Sequence, residues 1–196
     1  MALSVPLQEL TFGACPYLPG APPWKVSIFS CWEIPAGIYE ALLGRGFRRS
    51  GASFYCTICD GCDRCIPIRI DAAHFKPTNS QRRVERRNAD LDFYFDPAPS
   101  GVLPDRFRLY QKFCRDRFGR VLNPAHGADS YTSFLVESPL GAVAVTSYSV
   151  ASPSGPELVG NGYLDVLPDG LSSIYFAWSM AHGRRSPGVY SILREI

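Results

Sequence analysis

The sequence has little that is typical of a membrane protein or a secreted protein. No stretch approaches the ~18 consecutive apolar residues of a membrane-spanning helix, although 46% of the residues are apolar. The first residues, MALSVPLQELTF, lack the cationic flank and the apolar core of a signal peptide. We therefore expect a cytoplasmic protein with no membrane partner. In that compartment its seven cysteines are thiols or metal ligands rather than disulfides.

Lysine and histidine are also scarce. Only three of the 20 basic residues are lysines, and arginine is the better planar partner for phosphate and carboxylate groups. The three histidines do not form a ligand-spaced pair. The net charge of +2 is unevenly distributed, because residues 45–87 hold ten basic and four acidic side chains, whereas the rest of the chain holds ten and fourteen. The first half therefore carries the predicted electropositive surface.

Four cysteines share one spacing in the run Cys56-x₂-Cys59-x₂-Cys62-x₂-Cys65. Thiolates at this spacing can converge on one soft cation or on an iron–sulfur cluster. The run approaches the bacterial ferredoxin pattern, whose last spacing is three residues instead of two. Sulfur ligands alone do not separate zinc from iron–sulfur. The run therefore predicts a bound cluster or zinc ion, and leaves open which of the two it is.

An arginine-dense helix is predicted after the cysteine run. Ser80 can cap a helix over residues 81–89. Its arginines fall in pairs four residues apart, so their charges form a broad stripe. Such a stripe is often only a solvated helix face, but here one glutamate offsets four arginines, which favours contact with phosphates. We predict that a nucleic acid binds Arg82, Arg83, Arg86 and Arg87.

The pattern of apolar residues predicts an α+β protein. Helices are predicted over 35–44, over 105–118, after a cap at Asp129 or Ser130, and over 189–196. Strands are predicted over 66–71, 140–150, 157–166 and 171–178, and the last three resemble an antiparallel meander because Gly-Pro and Pro-Asp-Gly turns separate them.

The segment 92–104 is rich in Pro, Gly and Asp and is the candidate domain boundary. It separates a cysteine-rich, arginine-rich N-terminal module over residues 1–92 from a second domain over residues 104–196. Neither part contains an internal repeat or a low-complexity tract.

Several stretches, in collinear order over nearly the whole chain, resemble the aminoacyl-tRNA–protein transferases, especially the bacterial aspartate/glutamate leucyltransferases. The segment 59–90 is the most specific part. The matching stretches are Cys15-Pro-Tyr-Leu-Pro-Gly20, Gly46-Phe-Arg-Arg-Ser50, Cys59-Asp-Gly-Cys62-x₂-Cys65-Ile-Pro-Ile-Arg69, Phe75-x-Pro77-x-x-Ser80-Gln-Arg-Arg-Val84, Arg86-Arg-Asn-Ala-Asp90, Tyr131-x-x-Phe-Leu135, Asp169-Gly-Leu-Ser172 and Ser186-x-Gly188.

The resemblance implies a reaction and its partners. An aminoacyl group moves from charged tRNA to the N-terminal amine of a protein, which is thereby marked for degradation. The bacterial branch moves leucine onto N-terminal Asp or Glu, and the eukaryotic branch moves arginine. The resemblance also implies a Gcn5-type acetyltransferase-like fold for the second domain. We expect no nucleotide cofactor. The catalytic residues and the oligomeric state stay unknown.

Further site residues follow from the same resemblance. The family pattern implies Cys15, Cys59, Cys62 and Cys65 as ligands of an iron–sulfur cluster or zinc, with Cys56 as the alternative to Cys15. Arg185-x-x-Gly188 before a helix resembles the pyrophosphate loop of acetyltransferases and would suit a phosphate near the tRNA 3′ end. Arg48 and Arg49 are candidates for binding the acidic side chain of the acceptor, or a phosphate.

The sequence also departs from the family pattern. Phe118 stands in place of a histidine, and Trp178-Ser179 replaces Asp-Pro. The family has a tyrosine-rich segment after the last helix, and we expect the second domain to be incomplete at its C-terminus without it. The alternative function is a non-catalytic module of the same family that binds tRNA or protein N-termini, or that senses a metal.

Overall fold

The computed structural model of the protein describes residues 6–99, 103–141 and 143–196. Its strands form two four-stranded antiparallel sheets, and helices pack on both. The predicted α+β class is therefore confirmed. Within the described ranges, no helix has both the length and the apolar character that crossing a membrane requires.

The first sheet is built from the N-terminal part of the chain. Strands β1 (Gln8–Phe12), β2 (Trp24–Ser30), β3 (Arg48–Ser50) and β4 (Ser53–Thr57) lie in the order β1-β2-β4-β3. Helix α1 (Ala36–Gly44) connects β2 to β3, which confirms the helix predicted there. The strands themselves are short and were not predicted from the sequence.

A small core lies between α1 and this sheet. Tyr39 of α1 and Phe54 of β4 are fully buried, and their rings meet edge to face at 5.0 Å. Ile34 and Leu167 complete the buried set. Because Leu167 belongs to the second half of the chain, this core already joins the two sheets.

A loop and helix α2 (Asn79–Arg87) lead to the second sheet. Strands β5 (Leu91–Asp96), β6 (Ala144–Val150), β7 (Glu157–Leu167) and β8 (Gly170–Trp178) lie in the order β5-β6-β7-β8, and each pairs antiparallel with the next. The meander predicted for the last three strands is confirmed.

Helix α3 (Pro104–Phe118) covers one face of the second sheet. Its apolar side chains repeat at helical spacing, and Gly119 ends the helix in the left-handed conformation. Tyr110 and Phe113 pack on Tyr163 and neighbouring residues of the sheet. The helix predicted over 105–118 is thus confirmed. Helix α4 (Gly127–Tyr131) and the π-helical turn Thr132–Val136 pack beside it.

Helix α5 (Pro187–Glu195) covers the other face together with α2. Val84 of α2 and Tyr190 of α5 share one buried cluster with Tyr148 and Val159 of the sheet. The helical pattern predicted at the end of the chain is therefore confirmed. Helix α2, which lies inside the predicted N-terminal module, packs on the second sheet through this cluster. The boundary at 92–104 stays a prediction.

Three local predictions are wrong. Helix α4 begins at Gly127, so Asp129 and Ser130 lie inside the helix and do not cap it. Residues 66–71 form no strand and pair with neither sheet, and Ile68 is 83% exposed. Thr78, and not Ser80, caps α2, because its hydroxyl is the one that reaches the Gln81 amide. Residues 1–5, the 100–102 part of the predicted boundary and residue 142 of a predicted strand lie outside the described residues.

Candidate functional site

The four arginines predicted to bind phosphate all lie on α2. Thr78 and Gln81 cap the helix reciprocally, since each side chain accepts a hydrogen bond from the other residue's amide. Val84 fixes the opposite side of the helix in the core. The structure thus presents a cationic stripe to solvent, formed by the exposed side chains of Arg82, Arg83, Arg86 and Arg87.

Arg185 joins the start of α5 to the loop after α2. Its two terminal nitrogens donate to the two carboxylate oxygens of Asp90, at 2.6 and 2.8 Å. Arg87 donates in turn to the Arg184 carbonyl, at 2.7 Å. The hydrogen bonds from Arg185 lower the pKa of Asp90. The predicted pyrophosphate loop therefore lies beside the arginine stripe, although the guanidinium of Arg185 already has an anionic partner.

Asn88 holds this junction together and was not singled out from the sequence. Its side chain is fully buried, and its amide donates to the carbonyls of Val84 and Arg185, at 2.8 and 2.9 Å. After Arg185, Ser186 adopts a left-handed conformation with φ 56°, and Gly188 lies in the first turn of α5.

Arg184 is exposed next to the stripe on α2 and extends it. We call the combined surface the cationic face: Arg82, Arg83, Arg86, Arg87 and Arg184.

The two arginines predicted to bind the acceptor have different surroundings. Arg49 is fully buried, and its guanidinium forms a bidentate ion pair with Asp165. Nε donates to one carboxylate oxygen at 2.6 Å, and a terminal nitrogen donates to the other at 3.0 Å. Its remaining terminal nitrogen donates to the carbonyls of Gly51 and Glu137. Arg48 is half-buried and donates to the Ser173 carbonyl at 3.1 Å. Only Arg48 therefore has a guanidinium with donors left for a ligand.

Asp165 accepts further hydrogen bonds at the junction of the two sheets. Tyr39 donates to one carboxylate oxygen at 2.7 Å, and Ser138 donates to the other at 2.9 Å. Burial, together with the neighbouring carboxylate, raises the pKa of Tyr39. Every group in this buried network has a partner, so its role is to fix β3, which carries Arg48, against the second sheet.

A buried acidic group on α5 was also missed from the sequence. Glu195 turns inward onto β7 at Gly162, where any side chain would collide with the hydroxyl of Thr146 and with the carboxylate. Burial raises the pKa of Glu195 to about 7, and the hydroxyls of Ser173 and Thr146 offset part of this effect. The Gly160-Asn161-Gly162 sequence within a strand is the signal that could have indicated a close approach.

The predicted cysteine ligands do not form a metal-binding group in this structure. Cys56 lies in β4, and Cys59, Cys62 and Cys65 follow it in an irregular loop. The Lys25 amide donates to the Cys59 sulfur at 3.3 Å. In the described part of the chain, no three Cys, His, Asp or Glu side chains are placed to hold one ion. The cluster or zinc ion stays a prediction, with Cys15, Cys59, Cys62 and Cys65 as its ligands, and no reaction step is assigned to it.

Two family descriptions match the chain. The description "Arginine-tRNA-protein transferase, N terminus" matches residues 13–83, and "Arginine-tRNA-protein transferase, C terminus" matches residues 105–196. The first range contains the cysteine run, Arg48 and the start of the arginine stripe. The second contains the loop before α5 and Glu195.

Curated relatives match over most of the chain. A protein of Marinobacter nauticus named aspartate/glutamate leucyltransferase is 35% identical over 97% of this chain and 79% of its own length. Proteins of the same name from Pseudomonas fluorescens and Thiobacillus denitrificans are 32% and 33% identical, each over 93% of this chain and over 75% and 73% of their own lengths.

Proposed function

Because the chain belongs to the arginine-tRNA–protein transferase family and is thus an aminoacyltransferase, we propose that it moves leucine from charged tRNA to the N-terminal Asp or Glu of a protein. The observation that carries the choice of leucine is the similarity to relatives named aspartate/glutamate leucyltransferase, at 32–35% identity over 93–97% of the chain. Arginine is the alternative residue to be transferred, because the family descriptions name arginine-tRNA.

The reaction needs positioning more than it needs a strong nucleophile. The α-amine of the acceptor attacks the carbonyl carbon of the aminoacyl ester, a C–N bond forms, and the C–O bond to the tRNA ribose breaks. The aminoacyl ester is already activated, and an α-amine with a pKa of ~7.7–8.0 is partly neutral near pH 7. The protein therefore has to hold amine and ester in attack geometry and to stabilise the developing oxyanion.

The cationic face is our proposed binding surface for the tRNA. Its five arginines lie on one surface formed by α2 and the loop before α5. Arginines of this kind bind backbone phosphates and position the nucleic acid without recognising its base sequence. At the start of α5, Pro187 has no N–H, and the amides of Val189 and Tyr190 already donate to the Ser186 carbonyl. The Gly188 amide and the helix dipole are therefore what would favour a phosphate of the tRNA 3′ end at this position.

Arg48 is our proposed contact for the acidic side chain of the acceptor. It lies on β3 of the first sheet, beside edge strand β8 of the second sheet, where its guanidinium donates to the Ser173 carbonyl and keeps further donors. Arg49, the second predicted acceptor residue, acts in this proposal through its ion pair with Asp165, which fixes the strand carrying Arg48.

The second half of the chain is our candidate for the acetyltransferase-like domain. Three properties support this: the antiparallel meander β6-β7-β8, the helix α5 on one of its faces, and the Arg185-x-x-Gly188 loop at the start of that helix. In this proposal the modified protein carries a destabilising N-terminal residue, and a cytoplasmic protease system degrades that protein.

A ligation assay tests the proposal. The protein is mixed with radiolabelled leucyl-tRNA or arginyl-tRNA and a peptide that begins with Asp, and transfer of the label to the peptide is measured. A peptide of the same sequence with an acetylated N-terminus is the control, because it has no free α-amine. We expect label on the free peptide only, and more from leucyl-tRNA.

Each other outcome has a defined meaning. Transfer from arginyl-tRNA alone would replace leucine by arginine as the donor. No transfer from either tRNA, together with salt-sensitive tRNA binding, would favour the alternative function, a module that binds tRNA without catalysis.

A further inference from the structure

An open cleft of about 330 Å³ lies between the two halves of the chain. One wall is formed by the β3–β4 hairpin and the residues that follow β2, and the other by α4, the π-helical turn and the residue after it. In the described part of the chain, no Lys, Arg or His side chain lines it. The lining residues that matter below are Trp32, Ser50, Gly51, Ser133, Phe134 and Glu137.

The two walls of this cleft are joined at its floor. Gly51, at the turn of the hairpin, has φ 58°, and a Cβ atom there would lie 2.5 Å from the carbonyl oxygen of Ser133, so glycine is required at this close approach. The buried guanidinium of Arg49 donates to the carbonyl of Gly51 on one wall, at 2.9 Å, and to that of Glu137 on the other, at 3.0 Å. The cleft is therefore preformed, and a ligand does not have to assemble it.

The cleft continues the face of β3 that carries the proposed acceptor residue. Arg48 and Ser50 are two residues apart on this strand, so their side chains lie on the same face, while Arg49 between them points to Asp165 on the other. The Cα atoms of Arg48 and Ser50 are about 6.6 Å apart, two steps of ~3.3 Å along a strand. Ser50 lines the cleft. An extended peptide whose N-terminal residue contacts Arg48 can therefore place a side chain a few residues further on in the cleft.

The chemistry of the lining favours a cationic side chain. Trp32 is 79% exposed, and the face of an indole attracts a guanidinium or an ammonium group. Glu137 is exposed too, and its carboxylate has no ion-pair partner among the described residues. A phosphate would find no cation in this lining and would be repelled by Glu137. The charge therefore favours a basic part of a polypeptide over a nucleic acid.

We propose that this cleft binds a Lys or Arg side chain of the acceptor polypeptide, a few residues after its acidic N-terminus. The cation lies between the indole of Trp32 and the carboxylate of Glu137. This inference rests on the proposed function, in which Arg48 holds the N-terminal Asp or Glu. The protein then selects its acceptors by two charges of opposite sign, an acidic first residue and a basic residue downstream.

The test uses peptides that begin with Asp and carry Arg, Ala or Glu at one position from the third to the sixth, with all other residues identical. The kcat/KM for transfer of labelled leucine is measured for each peptide. At the best position we expect the Arg peptide to exceed the Ala peptide about 5-fold, the range of one exposed cation–π contact plus one exposed ion pair. The Glu peptide should fall below both. The difference should lie in KM, because a contact far from the reacting atoms is the same in the ground state and the transition state.

Variants assign this preference to the two residues, with the ratio of the Arg peptide to the Ala peptide measured within each enzyme. Trp32→Ala and Glu137→Gln should each lower the ratio to about twofold or less, whereas Trp32→Phe keeps an aromatic face and should retain part of it. Glu137→Lys should favour the Glu peptide instead. Glu33→Gln is the matched control, because Glu33 is exposed next to Trp32 but does not line the cleft. An equal loss in Glu33→Gln and Glu137→Gln would mean that net charge alone acts, and would overturn the proposal.

Binding of the same peptides without tRNA separates this inference from the proposed function. Fluorescence anisotropy of peptides labelled at the C-terminus gives Kd when no transfer occurs, and circular dichroism verifies the folding of each variant. If wild type transfers the label but shows no preference for Arg in KM or Kd, the cleft proposal is overturned and the transfer function stands. If nothing is transferred but the Arg peptide binds more tightly through Trp32 and Glu137, the transfer function fails and the cleft stands. If neither is seen, both are overturned. A loss of tRNA affinity in Trp32→Ala, with the peptide preference unchanged, would assign the cleft to nucleic acid and overturn the proposal.

Discussion

Arg49 and Asp165, which are 116 residues apart in the sequence, form a fully buried ion pair between the two sheets. Both side chains have 0% exposure, and the guanidinium contacts the two carboxylate oxygens at 2.6 and 3.0 Å. Breaking such a pair leaves a buried charge without a partner, which costs more than the pair itself contributes.

Removing one member of this pair should destabilise the protein strongly. We expect Arg49→Met or Asp165→Asn to lower the free energy of unfolding by about 3–5 kcal/mol, measured by urea denaturation. The double variant Arg49→Met/Asp165→Asn should lose less than the sum of the two single variants. Asp105→Asn, which breaks an exposed pair with Arg108, is the control and should cost below about 1 kcal/mol. Additive single effects would contradict direct coupling of the pair.

The stability of the protein should depend on pH through Glu195. Burial raises its folded-state pKa to about 7, above the value of about 4.3 in an unfolded chain. Folding thus favours the protonated form of this carboxyl. Its contribution to the free energy of unfolding is complete below about pH 4.3 and is lost as the pH rises through about 7. The free energy of unfolding of Glu195→Gln minus that of wild type should therefore increase by on the order of 2 kcal/mol between pH 5 and pH 8. Equal stability differences at both pH values would show that the carboxyl titrates normally.

Neutralising the stripe on α2 should weaken tRNA binding and reduce its dependence on salt. The triple variant Arg82→Gln/Arg83→Gln/Arg86→Gln leaves Arg87 in its hydrogen bond to Arg184. Each lost phosphate contact should lower the slope of log K against log salt by about 0.7–0.9. The matched control removes three exposed arginines of α3, in Arg108→Gln/Arg115→Gln/Arg117→Gln. A similar loss of affinity in both variants would mean that only net charge matters.

Arg48 should determine the preference for acidic acceptors. We expect Arg48→Gln to lower kcat/KM about 10- to 100-fold for a peptide that begins with Asp, the range of one charged hydrogen bond. A peptide that begins with Asn should be affected little, since it has no carboxylate to lose. Arg45→Gln, on an exposed arginine next to α1, is the control. An equal loss for both peptides would assign Arg48 to tRNA or to structure instead.

The cysteine run gives a prediction about metal content. Protein purified without oxygen should contain iron or zinc, with visible absorbance if an iron–sulfur cluster is bound. Cys62→Ser should lower the metal content, whereas Cys31→Ser, which packs beside the core of the first sheet, should not. Binding at this run requires the loop after β4 to rearrange, because the described cysteines do not converge. Metal-free protein, or equal metal content in both variants, would refute the prediction.

The sequence predicted those elements whose signals are local. The apolar spacing of Phe107, Tyr110 and Phe113 was sufficient for α3, and the turns between strands were sufficient for the meander. The alternation of Ile66, Ile68 and Ile70 also suggested a strand, but a strand needs an edge to pair with, and the sequence carries no information on that edge.

The candidate site was predicted only in part for the same reason. The arginine stripe is visible within one helix, so it was found. Arg49 was predicted to bind the acceptor or a phosphate, because its buried partner Asp165 lies far away in the chain and the sequence does not reveal the pair. Glu195 was not singled out, because its environment depends on Thr146 and Gly162 across the sheet.

The cationic face brings together α2 and the loop before α5, which are about 97 residues apart in the sequence. An unfolded chain therefore does not possess this surface, and a polyanion that spans it binds the folded state alone. By thermodynamic linkage, tRNA at 100 times its Kd would add about 2.7 kcal/mol to the free energy of unfolding. Substrate RNA would then act as a folding ligand, and the thermal stability of the protein would rise with the concentration of tRNA around it.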